Sequence, residues 1–191
     1  VRDKDRLNLA IRNVDIVYHT AAMKHIEICE DNPFDAVKTN VVGTSNILEA
    51  SIIEGIEKFV FISTDKATNP TSTLGGSKLL AERLTLDAGT YSGKSKTKFA
   101  IVRFGNVLGS RGSVFQIFQK QIKMKKPLTV TDKSMTRFIM SISDAASMIL
   151  NVTKILNDGE IYILKMPSIR IEDLAKGMLH VYGLRFQDYR N

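Results

Sequence analysis

Cysteine is almost missing from this 191-residue chain. Cys29 stands alone, so no internal disulfide can form and no multi-cysteine zinc site can be built. A single thiol suits a reducing cytoplasm, which is the expected compartment, with any membrane tether lying outside this segment. Histidine is scarce too: His19, His25 and His180 lie far apart or on different predicted elements, which argues against a metal centre. No apolar run approaches the ~20 residues needed to cross a bilayer, and no signal-peptide pattern opens the chain, so no direct membrane insertion is expected here. Internal repeats, low-complexity tracts and a clean linker are all lacking. Clustered charge is lacking as well. The net charge of +7 comes from scattered Lys and Arg, which suits a small phosphorylated ligand at least as well as nucleic acid, and no nucleic-acid partner is expected.

What is present is an ordinary globular composition, 43% hydrophobic and 25% charged, with enough length for one α/β unit. The chain begins at Val1, within a charged helical pattern, and reads as a fragment. Leu7, Ala10 and Ile11 recur at helical spacing. Asp15 to His19 reads as a strand ending at Thr20-Ala21-Ala22, small residues that let backbone approach a flat ligand. After Asn32-Pro33 a long helix runs to Glu54, with Pro33 near its start and Gly55 at its end. Asn40 falls on the apolar side of that helix, so its amide needs a partner; a bond to a neighbouring loop and a brace for a ligand-side loop both fit.

The central stretch is Lys58 to Arg83, KFVFISTDKATNPTSTLGGSKLLAER. Lys58 to Ser63 reads as a strand buried on both faces of a parallel sheet. Thr64, Asp65 and Lys66 then sit at its carboxyl end, where open α/β sheets bind ligands. By itself Asp65-Lys66 also reads as a solvated pair at a strand end. Asn69-Pro70 makes a turn, and a helix begins near Leu74, capped from the Ser/Thr cluster. Lys78 lies one turn further on the same face. A polar loop is expected from Gly89 to Lys98, and Phe99 to Arg103 is a second buried strand. It leads into Phe104 to Ser113, a loop rich in Gly and Ser whose free N–H groups suit a phosphate or diphosphate. Val114 to Lys126 is expected to be a helix, Leu128 to Thr131 a short strand, and Met135 to Met140 an extended run carrying Arg137. An arginine in that setting needs an anion, either a carboxylate of the chain or a ligand phosphate. Ser143-Asp144 caps a helix to Leu156, Glu160 to Leu164 is a strand, and Ile171 to Tyr182 is a helix. The alternation predicts an α/β fold with a doubly wound parallel sheet. A first portion would span residues 1–104, and a mainly substrate-binding portion interleaved with the sheet would span 105–191.

The strings HTAAMKHIEICEDNP, NVVGTSNILEA, FVFISTDKATNPTS, VRFGNVLGSRGSV and MTRFIMSISDA resemble the extended short-chain dehydrogenase/reductase superfamily. More narrowly they are similar to its polysaccharide-biosynthesis branch, the UDP-N-acetylglucosamine 4,6-dehydratases of the capsule and flagellin-glycosylation type. The resemblance covers nearly the whole chain. It implies a Rossmann-like domain lacking its first βα unit and Gly-rich loop, a small C-terminal substrate lobe, and a homo-oligomer. It also implies a tightly bound, recycled NAD or NADP and a UDP-sugar substrate. By position, Thr64, Asp65 and Lys66 match the catalytic Thr-Asp-Lys. His19, Ala21, Ala22, Asn40 and Lys78 match cofactor positions, with Lys78 the lysine that holds the nicotinamide ribose. Lys24, Asn106, Ser110, Arg111 and Arg137 match substrate positions.

The superfamily's Tyr-x-x-x-Lys here reads Leu74-Gly75-Gly76-Ser77-Lys78, and leucine cannot take a proton. Part of the dehydratase branch carries a nonpolar residue there. The implied reaction oxidises C4 of the sugar, which acidifies C5. Lys66 is then the candidate base at C5 and Asp65 the candidate acid at the C6 hydroxyl. They would have to be tuned in opposite senses, Lys66 towards neutral and Asp65 towards protonated, and so are expected to point at different atoms of the sugar. Two rival readings are a nucleotide-sugar epimerase on the same scaffold and a non-catalytic NAD(P)-binding or assembly module.

Overall fold

The computed structural model describes residues 1–91, 93, 96–110 and 112–185. The chain divides into two compact units: residues 1–104 with 148–164, and residues 105–147 with 165–191. The segment 148–164 therefore returns to the first unit.

In the first unit, α1 (Lys4–Ala10) precedes β1 (Ile16–His19), and α2 (Ile26–Asp31) and α3 (Pro33–Ala36) follow. Instead of one regular helix to Glu54, the chain passes through a π-helical turn, Val37–Val42, before α4 (Gly43–Glu54). Asn40 lies in that turn and is fully buried. Such a turn re-aims side chains within a continuing helix. Gly55, at φ 67°, closes α4 as its spacing predicted. Next come β2 (Lys58–Thr64), a short 3₁₀ turn (Asp65–Ala67), α5 (Thr73–Tyr91) and β3 (Lys98–Phe104). α5 runs past Gly89, where a loop was expected. The carboxylate of Asp158 packs against Gly89 so closely that a Cβ there would lie 2.5 Å from Oδ2.

β4 (Asn106–Val107), α6 (Val114–Lys123), β5 (Thr136–Met140), α7 (Ile142–Ile155), β6 (Glu160–Ile163), β7 (Ser168–Arg170) and α8 (Ile171–Val181) complete the order. The main sheet, β1-β2-β3-β6, is parallel throughout. Its inner strands β2 and β3 bury both faces, which is why Phe59 to Phe61 and Phe99 to Val102 are continuous apolar runs. One face, carrying Val17, Phe59, Phe61, Phe99 and Ile101, packs with Leu48 of α4 and with Ala81 and Ala88 of α5. From the other face the Tyr18 hydroxyl meets Thr153 of α7 at 3.1 Å. Helices on both faces make this the doubly wound sheet that the sequence predicted.

The second unit is built on a small sheet, β4-β5-β7, in which β4 pairs parallel and β7 antiparallel to β5. Phe118 and Ile122 of α6 bury against Ala175, Met178 and Leu179 of α8. Leu128 to Thr131 is not the strand expected. The backbone N–H of Thr129 donates to the Gln121 side chain, which also donates to its hydroxyl (3.3 and 2.9 Å), so these groups need no neighbouring strand. α7 starts one residue early and is capped by Ser141, whose hydroxyl accepts from Asp144 N–H at 3.0 Å and donates to its carboxylate at 2.6 Å.

One polar group lies deep in the first core. His19 is buried, stacked near Phe59 and Phe61 at centroid distances of 6.0 and 5.4 Å. Its Nε2 lies 2.8 Å from the Thr44 hydroxyl, which donates its own proton to the Asn40 carbonyl at 2.7 Å. Thr44 has only that one proton, so His19 is the Nε2–H tautomer and donates to Thr44. Burial, with the Lys78 charge second, lowers its pKa from 6.5 to about 4. Between those values the unfolded chain holds a proton that the folded chain does not, so stability falls as pH drops from 6.5 to about 4. The loss attributable to His19 is roughly 2–4 kcal/mol. Chemical denaturation at pH 7 and pH 4.5 should show His19→Phe losing less stability on acidification than the parent; equal losses would remove His19 as the cause.

Candidate active site

The sheet's carboxyl edge is built by three close approaches. First, Asn40 ties down the segment after β1: its Oδ1 accepts from Met23 N–H at 2.8 Å, and its Nδ2 donates to Met23 O and Ser77 Oγ, both at 3.0 Å. The amide is satisfied on both sides, so Asn40 braces the loop running from Ala21 and Ala22 through Lys24. Second, α5 starts hard against the β2 turn. A Cβ on Gly75 would lie 2.7 Å from Lys66 O, so glycine alone permits this contact without displacement. Ser72 caps the helix through Gly75 N–H at 3.2 Å, as the Ser/Thr cluster suggested. The Glu30 carboxylate also accepts from Thr73 N–H and Oγ, both at 2.7 Å, which lowers its pKa and sets a negative charge on the positive end of α5. Third, Lys78 reaches back to β2: its Nζ donates to Ile62 O at 2.7 Å and lies 4.4 Å from the Phe61 ring centroid.

Lys78 is only 7% exposed, and burial lowers its pKa from 10.5 to about 8, opposed by the nearby Glu82 carboxylate. Thr64, Asp65 and Lys66 follow directly where β2 ends. The Thr64 hydroxyl donates to Asp65 Oδ1 at 2.9 Å, and Lys66 Nζ donates to the same oxygen at 3.1 Å. Asp65 and Lys66 therefore contact one another rather than diverging, which corrects the expectation that they point at different atoms. Both side chains are partly buried, 25% and 32% exposed, so neither lies in bulk solvent. Leu74, in the tyrosine place, is 4% exposed and packs with Cys29, Ala36 and Met23, under the segment that Asn40 braces.

His19, Asn40, Lys78 and the Thr64-Asp65-Lys66 cluster thus belong to one end of the first unit, which also carries Lys24. Asn106, Ser110 and Arg137 belong to the second. Asn106 is in β4, opposite Ile139 of β5. The loop after it holds fewer free N–H groups than expected: Ser110 N–H donates to Val107 O, Ser113 N–H to Ser110 O, and Gly112 N–H to the Gln116 side chain. Gln116 also donates to Gly109 O at 3.1 Å, so this side chain, unremarked in the sequence, shapes the loop. Arg137 donates to Thr136 O at 2.8 Å and has no carboxylate within ion-pair distance among the described residues. Arg111 lies outside the described residues.

Sequence reasoning missed the Glu82–Arg103 pair. Glu82 is 1% exposed, and Arg103 donates to its two oxygens at 2.8 and 2.6 Å. The signal was a charge at a buried helical position, four residues after Lys78.

Comparison with known proteins agrees with the motifs. A model of the polysaccharide biosynthesis protein family matches residues 1–190. An uncharacterized membrane protein, MJ1061 of Methanocaldococcus jannaschii, is 54% identical over 192 residues, covering 98% of this chain and 58% of that protein. A UDP-N-acetylglucosamine 4,6-dehydratase (inverting) of Campylobacter jejuni is 44% identical, covering 93% of this chain and 54% of the enzyme. A UDP-glucose 4-epimerase of Rickettsia bellii is 40% identical, with 96% and 54% covered. The chain spans a little over half the length of these relatives. In fold it matches the dTDP-glucose 4,6-dehydratase DesIV of Streptomyces venezuelae, solved with NAD and TYD bound, at a TM-score of 0.90 and 22% identity, covering 99% of this chain and 64% of that one. No helix among the described residues is long and apolar enough to cross a membrane. The chain belongs to the polysaccharide biosynthesis protein family.

Proposed function

We propose that the protein containing this chain is a nucleotide-sugar 4,6-dehydratase that converts UDP-GlcNAc to UDP-4-keto-6-deoxy-HexNAc with a tightly bound, recycled NAD or NADP. The observation that carries the reading is the Thr64-Asp65-Lys66 cluster at the end of β2, joined by its own hydrogen bonds and backed by the buried Lys78. A dinucleotide fits the residues present: Lys78 has three donors and gives one to Ile62 O, leaving charge and protons for a ribose diol. Ala21 and Ala22 keep the segment after β1 slim, Asn40 holds it in place, and His19 at the end of β1 is itself fixed by Thr44. Held there, the dinucleotide would supply a reversible hydride acceptor for oxidation at C4 and reduction at C6 of the sugar.

The chain's own residues have the proton work. With C4 a ketone, Lys66 as neutral amine removes the C5 proton, and Asp65 as neutral acid gives a proton to the departing C6 hydroxyl, which leaves as water. As an ion pair at 3.1 Å the two side chains favour their charged forms, so the reading requires a proton transfer between them once substrate is bound. A proton passed from Lys66 to Asp65 leaves a neutral base and a neutral acid at once, and the same transfer after turnover resets the pair. Exclusion of water by bound substrate favours that neutral form, because desolvation penalises the charged one. Thr64, donating to the same oxygen, holds Asp65 in place. Leu74 cannot assist at C4, which leaves that proton to Lys66, Thr64 or a bound water. Lys24, Asn106, Ser110, Arg111 and Arg137 are proposed to hold the UDP-sugar, and Arg137 suits a phosphate through its lack of a carboxylate partner among the described residues.

An epimerase uses the same C4 oxidation and is the second reading, favoured by the 40% identity to a UDP-glucose 4-epimerase. Product mass separates the two: incubation of the full-length protein with UDP-GlcNAc should give a nucleotide sugar lighter by one water, whereas an unchanged mass with altered configuration would establish the epimerase. Lys66→Ala should lower formation of the 4-keto product by roughly 10²–10⁴-fold, the scale of general-base catalysis, while dinucleotide stays bound; turnover at the parent rate would overturn the role of Lys66. Dinucleotide affinity should weaken as pH rises through about 8, where Lys78 loses its proton. A titration repeated with Lys78→Met should lack that step, and an unchanged step would assign it to another group.

A further inference from the structure

Three ionic side chains share the face of the main sheet beneath α5. Lys78 and Glu82 stand one turn apart on α5, and Arg103 rises from β3. At i and i+4 a lysine and a glutamate ordinarily pair with each other. Here they do not: both Glu82 oxygens are taken by Arg103, at 2.8 and 2.6 Å, and the Lys78 ammonium rests on Ile62 O and the Phe61 ring instead. The sheet register places the two anchor points close together: Arg103 lies opposite Ser63, and Ile62, whose carbonyl holds Lys78, is the residue before it.

We propose that Arg103 and Glu82 are positioning residues for Lys78: by occupying the carboxylate, Arg103 keeps Lys78 from collapsing onto its own helix and leaves the ammonium at the strand ends for ligand. Glu82, though engaged, still faces Lys78 with negative charge and favours its protonated form. The other titratable groups on neighbouring elements do not compete for this role. His19 of β1 is neutral above pH 5 and committed to Thr44, and the turn after β2 carries Asp65 and Lys66 bonded to each other.

The test uses the full-length protein with lysine side chains labelled for NMR, so that Lys78, identified by its loss in Lys78→Met, is titrated directly. Dinucleotide affinity is read in parallel. Arg103→Met releases Glu82 to Lys78, so the Lys78 midpoint should rise by about one pH unit or more, and NAD(P) should bind about tenfold more weakly at pH 7. Glu82→Gln should move the midpoint the opposite way. Replacing both, Arg103→Met with Glu82→Met, should restore affinity to within about threefold, because apolar replacement of a whole buried pair is tolerated where removal of one partner is not. A pair that merely holds the fold would shift the Lys78 midpoint in the same direction in both single variants, and that result overturns the proposal. Should one single variant fail to fold, the other decides by the sign of its Lys78 shift, upward for Arg103→Met and downward for Glu82→Gln, and the opposite sign overturns the proposal, as does a double variant whose affinity is still reduced tenfold. The affinity readout rests on the function proposed above. A parent that binds neither NAD nor NADP would end that function, while the signs of the Lys78 shifts would still judge the pair.

Discussion

A lysine ammonium buried between α5 and β2 is the constraint to which the rest of the first unit answers. Charge in an apolar layer is costly, and this layer contains Phe59, Phe61, Phe99 and Ile101. Lys78 is tolerated because a backbone carbonyl and an aromatic face receive it, and because a carboxylate stands one turn away. That carboxylate is itself buried and needs Arg103, and the same burial that lowers Lys78 keeps His19 neutral. A chain of polar groups thus crosses the hydrophobic layer at the sheet's carboxyl edge, each made possible by the next. Few of its members are exposed, so their value lies in geometry and charge state more than in surface recognition.

The site's shape comes from backbone meeting backbone. Gly75 lets α5 begin against the Lys66 carbonyl, and the π-helical turn aims Asn40 at both polar groups of Met23. These contacts fix the turn bearing Asp65 and Lys66 and the segment after β1 relative to one helix. Leu74 belongs to the same arrangement. Its side chain fills the apolar space beside Cys29, Ala36 and Met23, which makes it a packing position.

Much of this was legible in the residues. β2 and β3 are apolar runs because parallel strands lose water on both faces, and Gly55 and the Ser/Thr cluster marked helix ends through local backbone chemistry that needs no tertiary partner. The placement of Thr64, Asp65 and Lys66 followed from where a buried strand must stop. Other readings failed for reasons equally physical. The stretch 128–131 had strand composition, yet its backbone groups were met by a glutamine side chain. The glycine-rich loop turned several N–H groups inward, onto its own carbonyls and onto Gln116.

Hydrophobic periodicity and turn chemistry, which act over a few residues, were sufficient for the sequence alone to determine the alternating elements, the parallel sheet and the location of Thr64, Asp65 and Lys66 at the end of β2. Which charge meets which was decided only by tertiary structure. Glu82 pairs with Arg103, twenty-one residues away, rather than with Lys78 on its own helix, and Asp65 turns to Lys66 rather than away from it. A side chain's partner depends on distances between elements, and those distances are set by the packing of α5 on the sheet, which no local pattern encodes.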